Sequence, residues 1–186
     1  MTTPAPISPL VVPNVDAWRD WLVRFDEVSD GTWLTLAKKG TTSPTALSYQ
    51  EALEEALCSG WIDGQRRALD AHVFVQRFTP RRPRSMWSQR NVDIVARLAD
   101  AGRLRPRGVT EIERAQADGR WELAYPGSAA AEVPDDLRRA LAAYPGAEAL
   151  FAALSRADRF SALHPILTAS DEGIRARRIA TLVARL

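Results

Sequence analysis

Apolar residues recur at helical spacing near the start of the chain. Over residues 14–27 they fall three and four positions apart, which predicts an amphipathic helix that Asn14 or Asp16 can cap. The apolar, β-branched run over residues 32–37 then predicts a short strand. The apolar positions of the helix are Val15, Trp18, Trp21, Leu22 and Phe25.

A helix start signal follows this strand. Ser48 and Glu51 have the spacing of a capping box, in which the hydroxyl accepts a hydrogen bond from the amide three residues on and the carboxylate reaches back. The pattern predicts a helix over residues 49–59, and Gly60 suits the left-handed residue just past its end. Its predicted buried stripe consists of Tyr49, Leu53, Ala56 and Leu57.

Two strand patterns come next. Residues 61–68 and 71–79 predict a β-hairpin with a tight turn at Leu69-Asp70. Pro80 and Pro83 then end the sheet, because proline cannot donate to the ladder.

Helical patterns dominate the rest of the chain. Ser88 can cap a helix that runs to Gly102, and the capping-box spacing of Thr110 and Glu113 predicts a short helix that stops at residues 118–119. Further helices are predicted over residues 134–144, 145–154 and 173–186, and residues 160–167 read as helical or irregular. Their predicted inward positions are Leu137, Leu141, Tyr144, Leu150, Phe151, Leu154, Ile174, Ile179, Leu182 and Val183.

These elements together predict an α+β fold that is mostly helical, with a small antiparallel sheet around the central hairpin and a helical C-terminal part. We expect a flexible lead-in over residues 1–13 and an α+β domain over residues 14–125. A linker over residues 126–133 then leads into a helical C-terminal subdomain over residues 134–186.

Composition is typical of a soluble globular protein, with 46% apolar and 26% charged residues. Cys58 is the only cysteine, and His72 and His164 are the only histidines, so the sequence predicts no disulfide, metal or cofactor. We expect Cys58 to be a packed residue on the flank of its helix. No apolar run is long enough for a membrane span, and the first residues lack a secretory signal, so a cytoplasmic protein without membrane insertion is expected.

Charge is distributed unevenly along the chain, although the formal net charge is only +2. Residues 1–60 carry four basic and eight acidic side chains, residues 61–120 carry thirteen and seven, and residues 121–186 carry eight and eight. The excess of positive charge in the middle third favours an anionic partner there.

The stretch from Gly60 to Asn91 concentrates arginine, tryptophan and hydroxyl side chains. Guanidinium groups match carboxylate and phosphate, and the indole ring offers a flat apolar face, so we interpret this stretch as a pocket for a small anionic or aromatic ligand. The predicted ligand-binding residues are Trp61, Asp63, Arg77, Arg81, Arg82, Ser85, Trp87, Ser88 and Asn91. A structural interpretation competes with this one: both tryptophans belong to the core, Ser88 caps a helix, and Asp63 and Asn91 make local polar contacts.

Several blocks of the sequence resemble the YdeI/OmpD-associated family, whose members are also labelled bacteriocin-protection proteins. They are EALCSGWIDG at 55–64, QRFTPRR at 76–82 and SMWSQRN at 85–91, followed by GRL at 102–104, DGRW at 118–121 and the helices from Pro134 to Phe151. Where relatives tend to have Ala-Lys followed by Glu-Thr-Arg, this chain has TASDEGIR at 168–175, so no role of that lysine carries over. The resemblance implies resistance to bacteriocins or cationic antimicrobial peptides and, in some members, association with an outer-membrane porin.

Our preferred functional hypothesis is therefore a stress or antimicrobial-resistance protein that binds its ligand without catalysis. One alternative is nucleic-acid binding by the arginine and tryptophan segment, which can hold phosphates and stack bases, although no known nucleic-acid motif is present. A second alternative is sequestration of a toxic small molecule or peptide, and a protein partner stays open. Enzymatic activity has little support, because His72, His164 and the turn carboxylates Asp63 and Asp70 match no catalytic spacing.

Overall fold

The computed structural model describes residues 8–127 and 130–186. The predicted lead-in lies outside the described residues up to residue 7, as do residues 128 and 129 of the predicted linker. The described elements, in chain order, are α1 (Val15–Phe25), β1 (Thr32–Ala37), α2 (Tyr49–Cys58), β2 (Trp61–Ala68), β3 (Val73–Pro80), α3 (Gln89–Asp100), α4 (Pro106–Ala117), α5 (Asp135–Ala142), α6 (Ala147–Ala153), α7 (Arg156–Leu167) and α8 (Glu172–Val183).

The chain forms two compact units. The first contains the described residues up to Ser85 together with Asn91–Trp121, and the second contains Met86–Arg90 together with Glu122–Leu186. The first unit holds the sheet, and the second holds helices α5 to α8. The α+β prediction is therefore confirmed. No helix among the described residues has the length and apolar character needed to cross a membrane.

Local capping signals start the first two helices as predicted. Asn14 caps α1, where its Oδ1 accepts a hydrogen bond from the amide of Ala17 at 3.1 Å. Ser48 and Glu51 form the complete capping box of α2. Gly60 follows that helix with a φ of +69°, the left-handed conformation that glycine adopts without steric cost.

The sheet has three antiparallel strands in the order β1-β3-β2. β3 is central, with Trp33 of β1 opposite Arg77 and Asp63 of β2 opposite Phe78. The register between β2 and β3 shifts between Asp63 and Arg66, which marks a bulge. Leu10 adds a parallel bridge along the other side of β1.

The hairpin loop is longer than the tight turn predicted at Leu69-Asp70. The strands end at Ala68 and resume at Val73, and the Asp70 carboxylate accepts hydrogen bonds from the amides of His72 and Val73 at 2.7 and 2.8 Å. The side chain of Asp70 thus stabilises the backbone of a four-residue connection. A two-residue turn does not need such side-chain hydrogen bonds.

Helices α1 and α2 cover one face of this sheet. Trp18 of α1 is fully buried, lies 5.7 Å from the Phe78 ring, and donates from its indole nitrogen to the carbonyl of Ala52 at 3.1 Å. Trp21 stacks on Trp18 at 5.2 Å. This aromatic layer, formed by alternate strand residues and one helix stripe, is the centre of the first core.

The fourth helix begins earlier than predicted. Thr110 and Glu113 do not form a capping box, because α4 starts at Pro106 and Thr110 instead donates its hydroxyl to the carbonyl of Pro106 at 3.0 Å. Proline suits the first helical position, where no amide donor is needed. One turn on, Gly108 lies so close to α2 that a Cβ there would stand 2.2 Å from the carbonyl oxygen of Cys58.

The second unit has its own apolar core, to which all four helices from α5 to α8 contribute. Two predicted inward residues are wrong: Tyr144 is 59% exposed and Leu150 is 51% exposed. Tyr144 lies beyond the end of α5 at Ala142, and Leu150 lies on α6 but outside its buried positions, Ala147 and Phe151. The core residues are Leu137, Leu141, Ala147, Phe151, Leu163, Ile166, Ile179 and Val183.

Candidate functional site

Trp61 and Asp63 lie on the face of the sheet that packs against the helices. The indole of Trp61 is fully buried, donates to the carbonyl of Asp26 at 3.2 Å and meets Trp21 edge-on at 5.8 Å. Asp63 accepts a hydrogen bond from the hydroxyl of Tyr49 at 2.8 Å. These contacts join β2 to α1 and α2.

Arg77 lies on the opposite face of the sheet from Trp61 and Asp63. It pairs with Trp33, whereas Asp63 pairs with Phe78, and neighbouring strand residues point to opposite faces. The sheet therefore separates this arginine from the other two predicted site residues of the hairpin.

Two glycines flank Arg77. A Cβ at Gly31 would stand 2.9 Å from an Nη atom of Arg77, and a Cβ at Gly64 would stand 3.8 Å from its Cβ. Gly31 also has a φ of +132°, which side chains other than glycine rarely adopt. The half-buried arginine therefore packs closely against the Gly31 backbone, where any other residue's side chain would collide with it.

Trp33 and Arg67 complete this surface, which we call the arginine–tryptophan face (Trp33, Arg67 and Arg77). The guanidinium carbon of Arg67 lies 4.7 Å from the centre of the Trp33 ring, in cation–π geometry. Arg67 pairs with Val75, which is buried, and Trp33 pairs with Arg77. The two side chains reach each other across β3.

The charges of this face are not neutralised locally. Within residues 8–127 and 130–186, the side chains of Arg67 and Arg77 form no ion pair and no hydrogen bond. A stacked guanidinium keeps its N–H donors in the plane of the group, where they remain able to bind an anion. The face therefore combines two cations with an aromatic ring.

The other predicted residues of the first unit differ in exposure. Arg81 and Asn91 are buried, Ser85 is half-buried, and Arg82 is exposed. The amide of Arg81 donates to the carbonyl of Gly60 at 3.0 Å, so the end of β3 is tied to the start of β2. Arg120 donates to the carbonyl of Ser85 at 2.7 Å.

Trp87 and Ser88 belong to the second unit. Trp87 is buried there, and its carbonyl accepts a hydrogen bond from the amide of Tyr125 at 3.0 Å. Ser88 is half-buried and forms an isolated parallel bridge with Tyr125. Tyr125 in turn packs edge-on against His164 at 4.7 Å.

A buried carboxylate missed by the sequence reasoning lies at the centre of the first unit. Glu55 of α2 is 1% exposed and pairs with three arginines: Arg19 at 2.9 Å, Arg103 at 2.7 Å and Arg105 at 3.0 Å. Arg105 also donates to the hydroxyl of Ser59 at 2.7 Å and to the carbonyl of Glu55. We call these four charged residues the Glu55 cluster; it ties α1 and the segment before α4 to α2.

The protonation of the Glu55 cluster follows from this geometry. Burial raises the pKa of Glu55, but the hydrogen bonds from Arg19, Arg105 and Arg103 outweigh it and lower that pKa below the ordinary value of 4.5. The bond to Glu55 in turn raises the pKa of Arg19. The carboxylate is therefore ionised at neutral pH and has no proton to exchange in acid–base chemistry.

The remaining reactive side chains are dispersed. Cys58 is a packed core residue as predicted, and burial raises the pKa of its thiol. Burial lowers the pKa of His164, and the exposed His72 lies in the hairpin loop beside Asp70. In the described part of the chain, no three histidine, cysteine or carboxylate side chains form a group able to hold a metal ion.

The sequence contains only weak signals for Trp33, Arg67 and Glu55, which were not among the predicted site residues. Arg67 and Trp33 come from strands that flank β3, so only the register shows that they meet. Glu55 does carry a signal, because it is an acidic residue among the apolar positions of α2, and Arg103 and Arg105 supply two cations downstream.

The fold and this site thus define an α+β protein with a basic, aromatic sheet face and a separate helical unit. The chain belongs to the family described as Domain of unknown function (DUF8412), whose model matches residues 10–111. Residues 130–186 match the model of a family described as Bacteriocin-protection, YdeI or OmpD-Associated, which confirms the resemblance drawn from the sequence for this part of the chain. Its description suggests a protective role related to bacteriocins or stress. Comparison with curated proteins and with solved structures gives no match.

Proposed function

We propose that this chain is a protection protein that acts by binding a small anionic ligand with an aromatic part, without catalysis, on its arginine–tryptophan face. The observation that carries the proposal is the cation–π contact of Arg67 on Trp33 beside the unpartnered Arg77, on the sheet face away from the helices. The match to the bacteriocin-protection family supports the biological context.

Binding on this face uses two kinds of contact. A carboxylate or phosphate accepts charge-assisted hydrogen bonds from the guanidinium of Arg77 or from the in-plane donors of Arg67. An aromatic group on the ligand lies against the exposed part of Trp33, which is half-buried.

The proposal keeps only part of the predicted set of ligand-binding residues. Trp61 and Trp87 are both buried, so their rings are not available for stacking on a ligand in this structure. Arg77 is the member of the predicted set that the proposal retains, and Arg82 is the exposed arginine nearest to it in sequence that the proposal leaves out.

Titration with benzoate and with inorganic phosphate, followed by tryptophan fluorescence, tests the proposal. We expect saturable binding of benzoate that weakens about tenfold or more in Arg67→Ala/Arg77→Ala, because each lost charge-assisted bond is worth about 1.5–3 kcal/mol. Trp33→Phe is expected to remove most of the fluorescence change. Arg82→Ala, which removes an exposed arginine of the same unit, serves as the matched control and is expected to bind like wild type.

Two results would overturn this proposal. One is the absence of any saturable response to either anion, and the other is equal affinity in the double variant and in Arg82→Ala. Nucleic-acid binding is examined in the same series with a single-stranded oligothymidylate: binding that is stronger than that of benzoate and that disappears with added salt would favour that alternative instead.

A cellular assay addresses the protective role. Bacteria that produce the wild-type chain are challenged with a bacteriocin and with a cationic antimicrobial peptide, and survival is compared with that of cells producing Arg67→Ala/Arg77→Ala at equal protein level. Survival that depends on both arginines is expected. Equal survival of cells that produce the two chains would show that protection does not depend on the arginine–tryptophan face.

A further inference from the structure

A groove lies between α7 and α8 in the second unit, with a volume of about 350 Å³. Its apolar lining includes Ile166, which is 1% exposed, together with the half-buried Ile174 and Leu182. Pockets for small molecules are of this size and are mostly apolar with a few polar groups.

Arginines line the α8 side of this groove. Arg177 and Arg178 lie within α8, and Arg185 follows the C-terminal cap of that helix. Arg178 donates to the carbonyl of Pro165, so it joins the two helices. Within the residues that the structure describes, the side chains of Arg177 and Arg185 form neither an ion pair nor a hydrogen bond.

Both cations whose side chains have no partner line the groove. Among the residues that the structure describes, no acidic side chain lines the groove. The nearest acidic position on α8, Glu172, lines a different groove on the α5 side of the helix.

The α7 side orients a ligand within the groove. Pro165 has no amide hydrogen, so it cannot serve the carbonyl of Ser161 one turn earlier, and both residues line the groove. An anionic group is repelled by such a carbonyl oxygen, whereas an apolar chain is tolerated along the proline and Ala162. The charge of a ligand is therefore directed toward the arginines of α8.

We infer that this groove binds an amphipathic carboxylate, whose apolar chain lies over Ile166 and Leu182 and whose acid group pairs with Arg177 or Arg185. Charge complementarity carries the inference, since a purely apolar occupant would leave both cations without a partner and a purely anionic one would leave the apolar floor uncovered. This site lies in a different unit from the arginine–tryptophan face and does not depend on it.

Decanoate binding to the full chain, measured by isothermal titration calorimetry, tests the inference. We expect saturable binding below about 1 mM, and a loss of about tenfold or more in Arg177→Glu/Arg185→Glu. Arg139→Glu/Arg156→Glu makes the same charge change at two other exposed arginines of the second unit and is expected to bind like wild type. Arg177→Gln/Arg185→Gln repeats the test without charge reversal, and unchanged far-ultraviolet circular dichroism verifies folding of each variant.

Ligands of different charge separate electrostatic from purely apolar binding. Decyltrimethylammonium has a comparable chain with the opposite charge, and acetate has the same charge without the chain, so both are expected to bind at least tenfold more weakly than decanoate. The inference is overturned if decanoate does not bind saturably, if the glutamate and glutamine variants bind it as wild type does, or if decyltrimethylammonium binds equally well.

Discussion

Replacing Glu55 with glutamine is expected to destabilise the first unit by about 3 kcal/mol, because one partner of a buried ion pair is removed and the other stays. Most of this loss comes from Arg105, because its side chain is only 18% exposed and would no longer have the Glu55 carboxylate as a partner. The side chains of Arg19 and Arg103 are 42% and 38% exposed, so they regain water and contribute about 0–1 kcal/mol each. The remaining carbonyl of the glutamine still accepts one hydrogen bond, which keeps the loss at the low end of the range for buried pairs.

Urea unfolding followed by tryptophan fluorescence measures this loss. Every tryptophan except Trp87 lies in the first unit, so the signal reports mainly on the unit that contains Glu55. With a slope of about 1–3 kcal/mol per molar urea, a loss of about 3 kcal/mol is expected to lower the midpoint by about 1–3 M. The matched control is Glu54→Gln on the same helix, whose carboxylate is more exposed and reaches Arg103 at only 3.4 Å.

The pH dependence of the same variant gives a second measurement. The folded-state pKa of Glu55 lies below its ordinary value of 4.5, so its contribution is fully present above that pH and is lost as the pH falls through the folded-state pKa. The difference between wild type and Glu55→Gln is therefore expected to shrink below pH 4.5. A midpoint shift no larger than that of Glu54→Gln at neutral pH, or a difference that grows in acid, would refute the reasoning.

Three further predictions concern packing and ionisation. Gly108→Ala is expected to destabilise the first unit by about 1–3 kcal/mol or more and so to lower its urea midpoint, because its Cβ would stand 2.2 Å from the Cys58 carbonyl; a neutral effect would mean that α2 and α4 separate easily. The thiol of Cys58, whose pKa is raised by burial, is expected to react with a disulfide reagent at least about 100-fold more slowly in the folded chain than in urea, and equal rates would contradict its burial. Asp136→Asn removes the carboxylate that Arg175 holds at 2.5 and 2.9 Å, so circular dichroism melting is expected to show a loss of about 1 kcal/mol. The Arg175 hydrogen bond lowers the pKa of Asp136, so this loss fades as the pH falls below 3.8; a constant loss down to that range would argue against the ion pair.

Local signals explain which elements the sequence could predict. Asn14 and the Ser48–Glu51 box act within one helical turn, so their effect is visible without the fold. The start of α4 was predicted wrongly because the capping-box spacing at Thr110 competed with Pro106, and proline at a helix start is as strong a local signal.

The candidate sites depend on contacts that are distant in sequence. Glu55 meets Arg19 across 36 residues and Arg105 across 50, and no periodicity relates such positions. The pairing of Trp33 with Arg67 needs the register of both outer strands on β3. The sequence composition indicates a basic and aromatic region. Its tryptophans, Trp61 and Trp87, are buried in the cores, and the half-buried tryptophan of the arginine–tryptophan face, Trp33, comes from β1.

The position of β2 at one side of the sheet gives Arg67 a second role, at a sheet edge. Among the described strands it pairs only with β3, and its outer backbone groups are of the kind that recruit a second chain into a continuous sheet. The bulge after Asp63 and the consecutive cations Arg66 and Arg67 oppose such recruitment, as charges and irregular pairing do at natural sheet edges. A substitution of Arg67 would therefore change both the protection of this edge and the proposed binding face, whereas a substitution of Trp33, on the strand at the opposite side, would leave this edge unchanged.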